Sequence, residues 1–253
     1  MNLYAVLLAA GRGKRMNSPK PKVLHEVLGR PMLQYVIEAV KTLAPRRIII
    51  VVGNASEEIK KQINDRAISF ILQKRLLGTG NALAEARKAL RGIKNTTIVI
   101  LNGDSPLITA KTLRELLNKH KRDKNDLSFL SFTDDSASGY GRVLRNKDNR
   151  VIGIVEDKHA TMEDRRVKEL NGGVYAIEPG ILSYLGMLKK HRSSGEYYLT
   201  DIVGIASRSG KRVNAYNCPP EEIKGINTRE ELHQVSDILN RRIISKLKTQ
   251  NSY

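Results

Sequence analysis

A single cysteine, Cys218, stands among 253 residues. That excludes an internal disulfide, and with no Cys or His cluster beside it a zinc spacing is excluded too; a buried, inert thiol is the expected role. Tryptophan is absent and aromatic residues make up only 5%, so platforms on which single-stranded bases could stack are scarce. No apolar run approaches the roughly 20 residues of a membrane-spanning helix. The longest, Leu3 to Ala10, stops at Gly11 and is followed by Arg12, Lys14 and Arg15. Charge placed after the apolar stretch instead of before it argues against a secretory leader, and a cytoplasmic protein is expected. Nothing has the hexapeptide period of a β-helix. His25, His120, His159, His191 and His233 form no metal-ligand spacing such as H-E-x-x-H, and no motif marks a catalytic nucleophile.

Acidic residues are also short: 26 Asp and Glu face 44 Lys and Arg, a formal charge of +18 that attracts polyanions. The basic residues lie in separate stretches, such as Arg46 and Arg47, Lys119 to Lys124, and Arg241 to Lys248, not in one aromatic-interleaved stripe. A solvated basic face is favoured over a nucleic-acid site, and neither nucleic acid nor membrane is the expected partner. With 40% hydrophobic residues the chain is long enough for one large domain, alone or with a small annex.

Apolar, β-branched runs alternate with stretches of helical period. Leu3 to Ala9, Ile48 to Val52, Ile68 to Leu72, Thr97 to Leu101 and Leu127 to Phe132 read as strands. Between them, Met32 to Leu43 sets Leu33, Val36, Ile37 and Val40 on one face, and Ala82 to Leu90 and Leu113 to His120 supply further crossovers. Strands apolar on both faces, alternating with helices, predict an α/β fold: a Rossmann-like, mostly parallel sheet covered by helices on both faces. After about Ser138 glycines punctuate short segments such as Arg150 to Glu156 and Gly173 to Ile177, which predicts a small mixed β extension. Helices are expected again at Ile181 to Leu188 and Leu199 to Ser207, then a strand at Arg212 to Asn217. A long helix from Thr228 to Lys248 carries an apolar stripe of Leu232, Val235, Leu239, Ile243 and Leu247. The expected organisation is a domain over 1–227 and a C-terminal helix and tail over 228–253.

The motif with most chemical content is Leu8-Ala9-Ala10-Gly11-Arg12-Gly13-Lys14-Arg15-Met16, followed by Pro21-Lys22, directly after the first strand. In an open parallel sheet the loops beyond the strands' carboxyl ends form the ligand crevice, and glycines let backbone N–H groups approach phosphate oxygens. Arg15 and Lys22 then bring positive charge to a triphosphate. The spacing is neither the dinucleotide G-x-G-x-x-G nor a Walker loop, and taken alone such a loop could be a tight solvated turn. Asn102-Gly103-Asp104-Ser105-Pro106-Leu107 ends the fourth strand, where a carboxylate is placed to hold Mg²⁺, a hard cation that takes few protein oxygens. A Gly-Asp turn is its plainer reading.

Together with Lys22-Val23-Leu24-His25, Gln73 before Leu77-Gly78-Thr79-Gly80, Gly139-Tyr140-Gly141-Arg142, Ile154-Val155-Glu156, Asn171, Tyr198-Leu199-Thr200-Asp201 and Gly225-Ile226-Asn227, these loops resemble the nucleotide-sugar pyrophosphorylases over nearly the whole chain. Within them the resemblance is strongest to the N-acetylglucosamine-1-phosphate uridylyltransferases. It implies transfer of UMP from UTP to N-acetylglucosamine 1-phosphate with Mg²⁺ as cofactor. It further implies that Leu8, Ala9, Ala10, Gly11 and Gly103 line the nucleotide site, that Gln73, Gly78 and Thr79 read the uracil edge, and that Gly141, Glu156 and Asn171 face the sugar. Arg15 and Lys22 are the implied catalytic cations, and Asp104 and Asn227 the metal ligands. The chain departs from the family pattern at Asn81, Asn102, Asp157, His159 and Gly172, all on the base and sugar side. A sister enzyme using UTP or dTTP with glucose 1-phosphate or another sugar is the alternative, and a basic nucleotide- or nucleic-acid-binding protein without turnover is the alternative of another class. Relatives of this kind often carry an acetyl-transferring β-helix domain, which is not expected here.

Overall fold

The computed structural model describes residues 2–11, 13–134 and 138–250, so Arg12 of the opening loop and the last tail residues, 251–253, lie outside it. One nine-stranded sheet organises the chain. Its strands are β1 (Leu3–Ala9), β2 (Arg47–Val52), β3 (Ile68–Leu72), β4 (Thr97–Asn102), β5 (Leu127–Thr133), β6 (Arg142–Arg145), β7 (Val151–Val155), β8 (Glu169–Ile177) and β9 (Val213–Asn217). The main path runs β9-β5-β8-β4-β1-β2-β3, with the β6–β7 pair attached to β8 as the expected extension. The attached β6 is antiparallel to both β8 and β7. Along the main path β1/β2, β1/β4, β2/β3 and β5/β9 are parallel, while β8 runs antiparallel to β4 and β5. The antiparallel strand has a consequence for the site. Its N-terminal end lies at the same edge of the sheet as the C-terminal ends of β1, β4 and β5.

The double-faced burial expected of such strands is visible in β1. Leu3, Ala5, Leu7 and Ala9 enter one core while Val6 enters the other, and β2 and β4 alternate in the same way. Helices α1 (Met32–Lys41) and α4 (Ala110–Arg122), with the short α2 (Ser56–Gln62), cover the first face; Leu33, Val36, Ile37 and Val40 of α1 are all buried there. Across the sheet, α3 (Thr79–Ala86) and α5 (Asp201–Arg208) cover the second. Two further helices follow β9: α6 (Pro220–Ile223) and the long α7 (Arg229–Gln250).

Three sequence expectations change in detail. Pro179–Met187 forms a 3₁₀ helix, not an α-helix: Pro179 opens it and Gly180 and Gly186 weaken it, while Ile181, Leu182 and Leu185 are still buried. The segment read from Gly173 starts at Glu169 and belongs to the main sheet in both halves: Glu169 to Asn171 and Tyr175 to Ile177 pair with β5, and Tyr175, Ala176 and Ile177 also pair with β4. In α7 the stripe is buried only at Val235 and Leu239; Ile243 and Leu247 are exposed. Among the described residues no helix is long and apolar enough to cross a membrane.

Candidate functional site

A cleft of about 970 Å³ opens at the edge where β1 and β4 end and β8 begins. Leu8, Ala9, Ala10 and Gly11 form its floor as β1 runs out, and a Cβ added to Gly11 would meet nothing within 4 Å, so this backbone is open to a ligand. Gly13 has a different task. Its φ of +61° is left-handed, and a Cβ there would lie 2.6 Å from the Cβ of Lys22, so the turn closes only with glycine. The contact presses the loop onto the stem of Lys22. Arg15 lines the same cleft from the 3₁₀ turn Lys14–Met16, with its side chain exposed.

Lys22 is 8% exposed, yet its ammonium lies where three distant segments meet. Nζ donates to Asp104 Oδ2 and, at 2.7 Å, to Asn227 Oδ1. Asp104 is delivered by the turn after β4, and its carbonyl accepts the Ile226 N–H at 3.0 Å, which ties the Asn227 segment beside it. Two oxygens from segments far apart in sequence therefore converge on one cationic centre. That donor set, one carboxylate and one amide oxygen beside an open cleft, fits a hard divalent cation completing its shell with phosphate or water oxygens. Among the described residues no group of three or more His, Cys, Asp or Glu is gathered to hold a metal by itself.

A second wall carries Gln73, Gly78 and Thr79. Gln73 is 2% exposed, and its Nε2 donates to Gly78 O at 3.1 Å and to Asn81 Oδ1 at 2.8 Å. Because the Gly78 carbonyl can only accept, the amide must present its NH₂ to it and its oxygen elsewhere. The Gly78 turn has φ +93° and is locked to the neighbouring segment: Tyr197 N–H donates to Leu77 O, Gly80 N–H to Tyr197 O, and Leu199 N–H to Thr79 Oγ1 at 3.0 Å.

The third wall is built from β7 and β8. Asn171 N–H donates to Gly141 O at 2.8 Å, which holds Gly141 and Asn171 together. The Asn171 amide donates to Tyr175 Oη at 2.8 Å and accepts from Gly173 N–H at 3.1 Å, leaving one N–H and one lone pair for a ligand. Glu156 accepts from Thr200 Oγ1 at 2.6 Å. Burial pushes its pKa up, and Asp201 pushes the same way against the Thr200 hydroxyl, Lys158 and His159. Gly172 leaves no room for a larger residue, since a Cβ would lie 2.9 Å from the Leu130 carbonyl oxygen.

Of the residues singled out from sequence, Gly103 is the one that does not line the cleft: it packs behind it, where a Cβ would meet Leu33 at 3.1 Å and Ala9 at 3.2 Å. Several residues given no role from sequence do line it, among them Tyr140, Tyr198, Thr200 and Glu231. The Tyr198 hydroxyl is buried with no hydrogen-bond partner among the described residues, and the spacing Thr228-x-x-Glu231, that of a helix capping box, is the signal that could have pointed to Glu231.

Residues 5–181, most of the chain, match the MobA-like NTP transferase domain. The chain belongs to that family. Among curated members it is 40% identical over 242 residues to the bifunctional protein GlmU of Thermoanaerobacter pseudethanolicus, covering 95% of this chain and 52% of that protein. The bifunctional protein GlmU of Acetivibrio thermocellus is 39% identical over 246 residues, with 96% and 53% covered. The chain thus spans about half the length of these relatives. Among solved structures, UDP-glucose pyrophosphorylase complexed with UDP-glucose superposes with a TM-score of 0.75 at 20% identity, covering 96% of this chain and 100% of that one. The inositol-1-phosphate CTP transferase from T. maritima gives 0.68 at 16% identity, with 94% of each chain covered. At these identities the likeness establishes the fold alone, a mostly parallel sheet with helices on both faces.

Proposed function

We propose that the chain transfers UMP from UTP to N-acetylglucosamine 1-phosphate, giving UDP-N-acetylglucosamine and pyrophosphate. The observation that carries this reading is the meeting of Lys22, Asp104 and Asn227 at one end of a cleft whose other walls carry a fixed amide, Gln73, and a sugar-sized set of polar groups, Glu156 and Asn171. The extent of the match to GlmU proteins supports the same substrates.

A phosphate oxygen of the sugar 1-phosphate attacks the α-phosphorus of UTP in line; the bond from that phosphorus to the β-bridging oxygen breaks, and pyrophosphate leaves opposite. No proton has to move and no enzyme-bound intermediate forms. The work of the chain is positioning and charge neutralisation. Lys22 and Arg15 face the triphosphate, and the open backbone of Ala10 and Gly11 lets it approach the floor. Gln73 offers its amide oxygen to the N3–H of uracil, the proton that cytosine lacks, with Gly78 and Thr79 beside it. Glu156 accepts from sugar hydroxyls, and the spare N–H and lone pair of Asn171 serve a hydroxyl or the acetamido group. Asp104 and Asn227 would hold Mg²⁺, which would supply positive charge to the non-bridging phosphate oxygens.

A second reading is favoured by Gly172: this wall offers no side-chain hydroxyl beside Asn171, and another sugar 1-phosphate, with UTP or dTTP, fits the same phosphate chemistry. A pyrophosphate-release screen of nucleoside triphosphates against sugar 1-phosphates with Mg²⁺ decides between them. The highest kcat/KM is expected for UTP with N-acetylglucosamine 1-phosphate. Pyrophosphate from no pair, with salt-sensitive binding to nucleic acid instead, would replace the enzyme by a binding protein.

A further inference from the structure

The phosphate end of the cleft has a small core of its own behind it. Met16 from the opening loop, Leu107 from the Asp104 turn and Ile226 beside Asn227 are buried together, and Val235 and Leu239 of α7 close this core. α7 therefore touches all three segments that supply Lys22, Asp104 and Asn227. Two polar contacts add direction to that packing. Arg242 Nη1 donates to Leu107 O at 2.7 Å, holding the Asp104 turn from the middle of the helix. At the start of the helix Thr228 and Glu231 form a reciprocal capping box: Glu231 N–H donates to Thr228 Oγ1 at 3.1 Å, and Glu231 Oε2 accepts the Thr228 N–H at 3.0 Å. A helix cap needs no more than this. Yet the same Oε2 also accepts the backbone N–H of Asn227, the residue whose amide oxygen meets Lys22, and Glu231 itself lies on the cleft wall.

We infer that Glu231 is a positioning residue for the cation-binding oxygens: it fixes the Asn227 backbone so that Asn227 Oδ1 and the Asp104 carboxylate converge on one point, with α7 as the frame. The inference rests on the reading of Asp104 and Asn227 as metal ligands. It also makes the first half of α7 part of the site, although the helix stands outside the 5–181 match.

The test compares Glu231→Ala and Glu231→Gln in the whole chain with Ile59→Ala, a buried change on α2 remote from the cleft, as the control for lost stability. Mn²⁺ affinity is measured by the loss of the free-ion EPR signal without nucleotide, alongside the Mg²⁺ dependence of pyrophosphate release and thermal melts. Residues that orient metal ligands typically change metal affinity by about 10- to 100-fold. Glu231→Ala is expected to weaken Mn²⁺ binding by about 10-fold and to raise the Mg²⁺ midpoint in parallel. Glu231→Gln, which keeps an acceptor oxygen, should restore most of both, and Ile59→Ala should lower the melting temperature while moving neither. A Glu231→Ala protein that melts lower but keeps wild-type Mn²⁺ affinity and Mg²⁺ midpoint overturns the inference, as does a wild-type chain that binds no Mn²⁺. If the wild type binds Mn²⁺ but releases no pyrophosphate from any pair, the proposed reaction fails, and the Mn²⁺ affinities alone decide the role of Glu231.

Discussion

Replacing Lys22 by Met removes the ammonium while nearly preserving the length of the stem that packs against Gly13. Two effects of different size follow. The first is on stability: Asp104 loses its partner, but the two side chains are 10% and 22% exposed, so the carboxylate keeps some water. The loss should therefore fall below the roughly 3–5 kcal/mol of a fully buried broken pair, at about 1–2 kcal/mol. In a chain of this size that lowers the melting temperature by roughly 2–8 °C, and the protein remains folded at 25 °C. The second effect is on turnover. An electrostatic donor held in place toward charge that develops on phosphate oxygens contributes about 3–4 kcal/mol, which corresponds to a fall in kcat of roughly 100- to 1000-fold. Because the catalytic effect exceeds the stability effect, the two separate cleanly in an assay at 25 °C. Pyrophosphate release is measured at saturating UTP, sugar 1-phosphate and Mg²⁺, with circular dichroism on the same samples. Lys22→Arg is not expected to rescue, since a planar guanidinium does not replace a compact ammonium between two oxygens. A folded Lys22→Met protein that turns over within about three-fold of wild type would remove Lys22 from the mechanism, because a purely structural lysine leaves the barrier unchanged.

Gln73→Glu turns an NH₂ group that donates to Gly78 O and Asn81 Oδ1 into an acceptor. Asn81 can rotate its amide to donate, but the Gly78 carbonyl cannot, so about 1–3 kcal/mol of stability should be lost and the KM for UTP should rise at least about 10-fold, with the sugar KM unchanged. The carboxylate still accepts from N3–H, so the preference for UTP over CTP is expected to survive in Gln73→Glu and to be lost in Gln73→Leu, which has no acceptor; an unaltered preference in Gln73→Leu would contradict the role given to Gln73. Glu156→Gln makes an opposite prediction for stability. With its pKa raised by burial, Glu156 holds its proton more tightly folded than unfolded, so its favourable contribution is full below the unfolded carboxyl range and is lost as pH rises through the folded value. At neutral pH the ionised group therefore destabilises the fold. The variant should melt higher than wild type at about pH 7, with the difference shrinking toward roughly pH 4, while the KM for the sugar phosphate rises about 10-fold or more. A melting difference independent of pH would refute the assignment.

The strands were legible because β1, β2 and β4 are buried on both faces and so read as unbroken β-branched runs. The end of the cleft where Lys22 and Asp104 meet was legible for a related reason: its glycines and cations follow a strand's carboxyl end, a position that topology fixes. Other features depend on contacts made far along the chain. Only Ile59 of α2 is buried, so that helix leaves no apolar period to read. Ile243 and Leu247 continue the α7 stripe in sequence, but the core they would enter ends at Leu239. Gly103 has the composition of a phosphate loop, yet its missing side chain serves the packing of Leu33 and Ala9. Glu231 could be read as a cap, but its hold on Asn227 becomes visible only when the two segments are seen together.

Sheet topology separates the residues proposed to act on the phosphates from most of those proposed to hold the sugar. The parallel strands β1 and β4 deliver Lys22 and Asp104 through the loops at their carboxyl ends, and α7 clamps Asn227 beside them. Most of the polar groups proposed to face the sugar come instead from the antiparallel strand β8 and the β6–β7 pair it carries. The departures Asp157, His159 and Gly172 lie on or just after that second structure and Asn81 on α3, while Asn102 ends β4 itself, with its amide against Gly173 of β8; none of the five is a partner in the Lys22–Asp104–Asn227 contact. On the proposed roles, substitution around Glu156 or Gly172 is expected to change which sugar is held without breaking the Lys22–Asp104–Asn227 contact. The three segments of that contact are not independent of one another: Met16, Leu107 and Ile226 share one small core, so a change in any of them is expected to shift Lys22, Asp104 and Asn227 together.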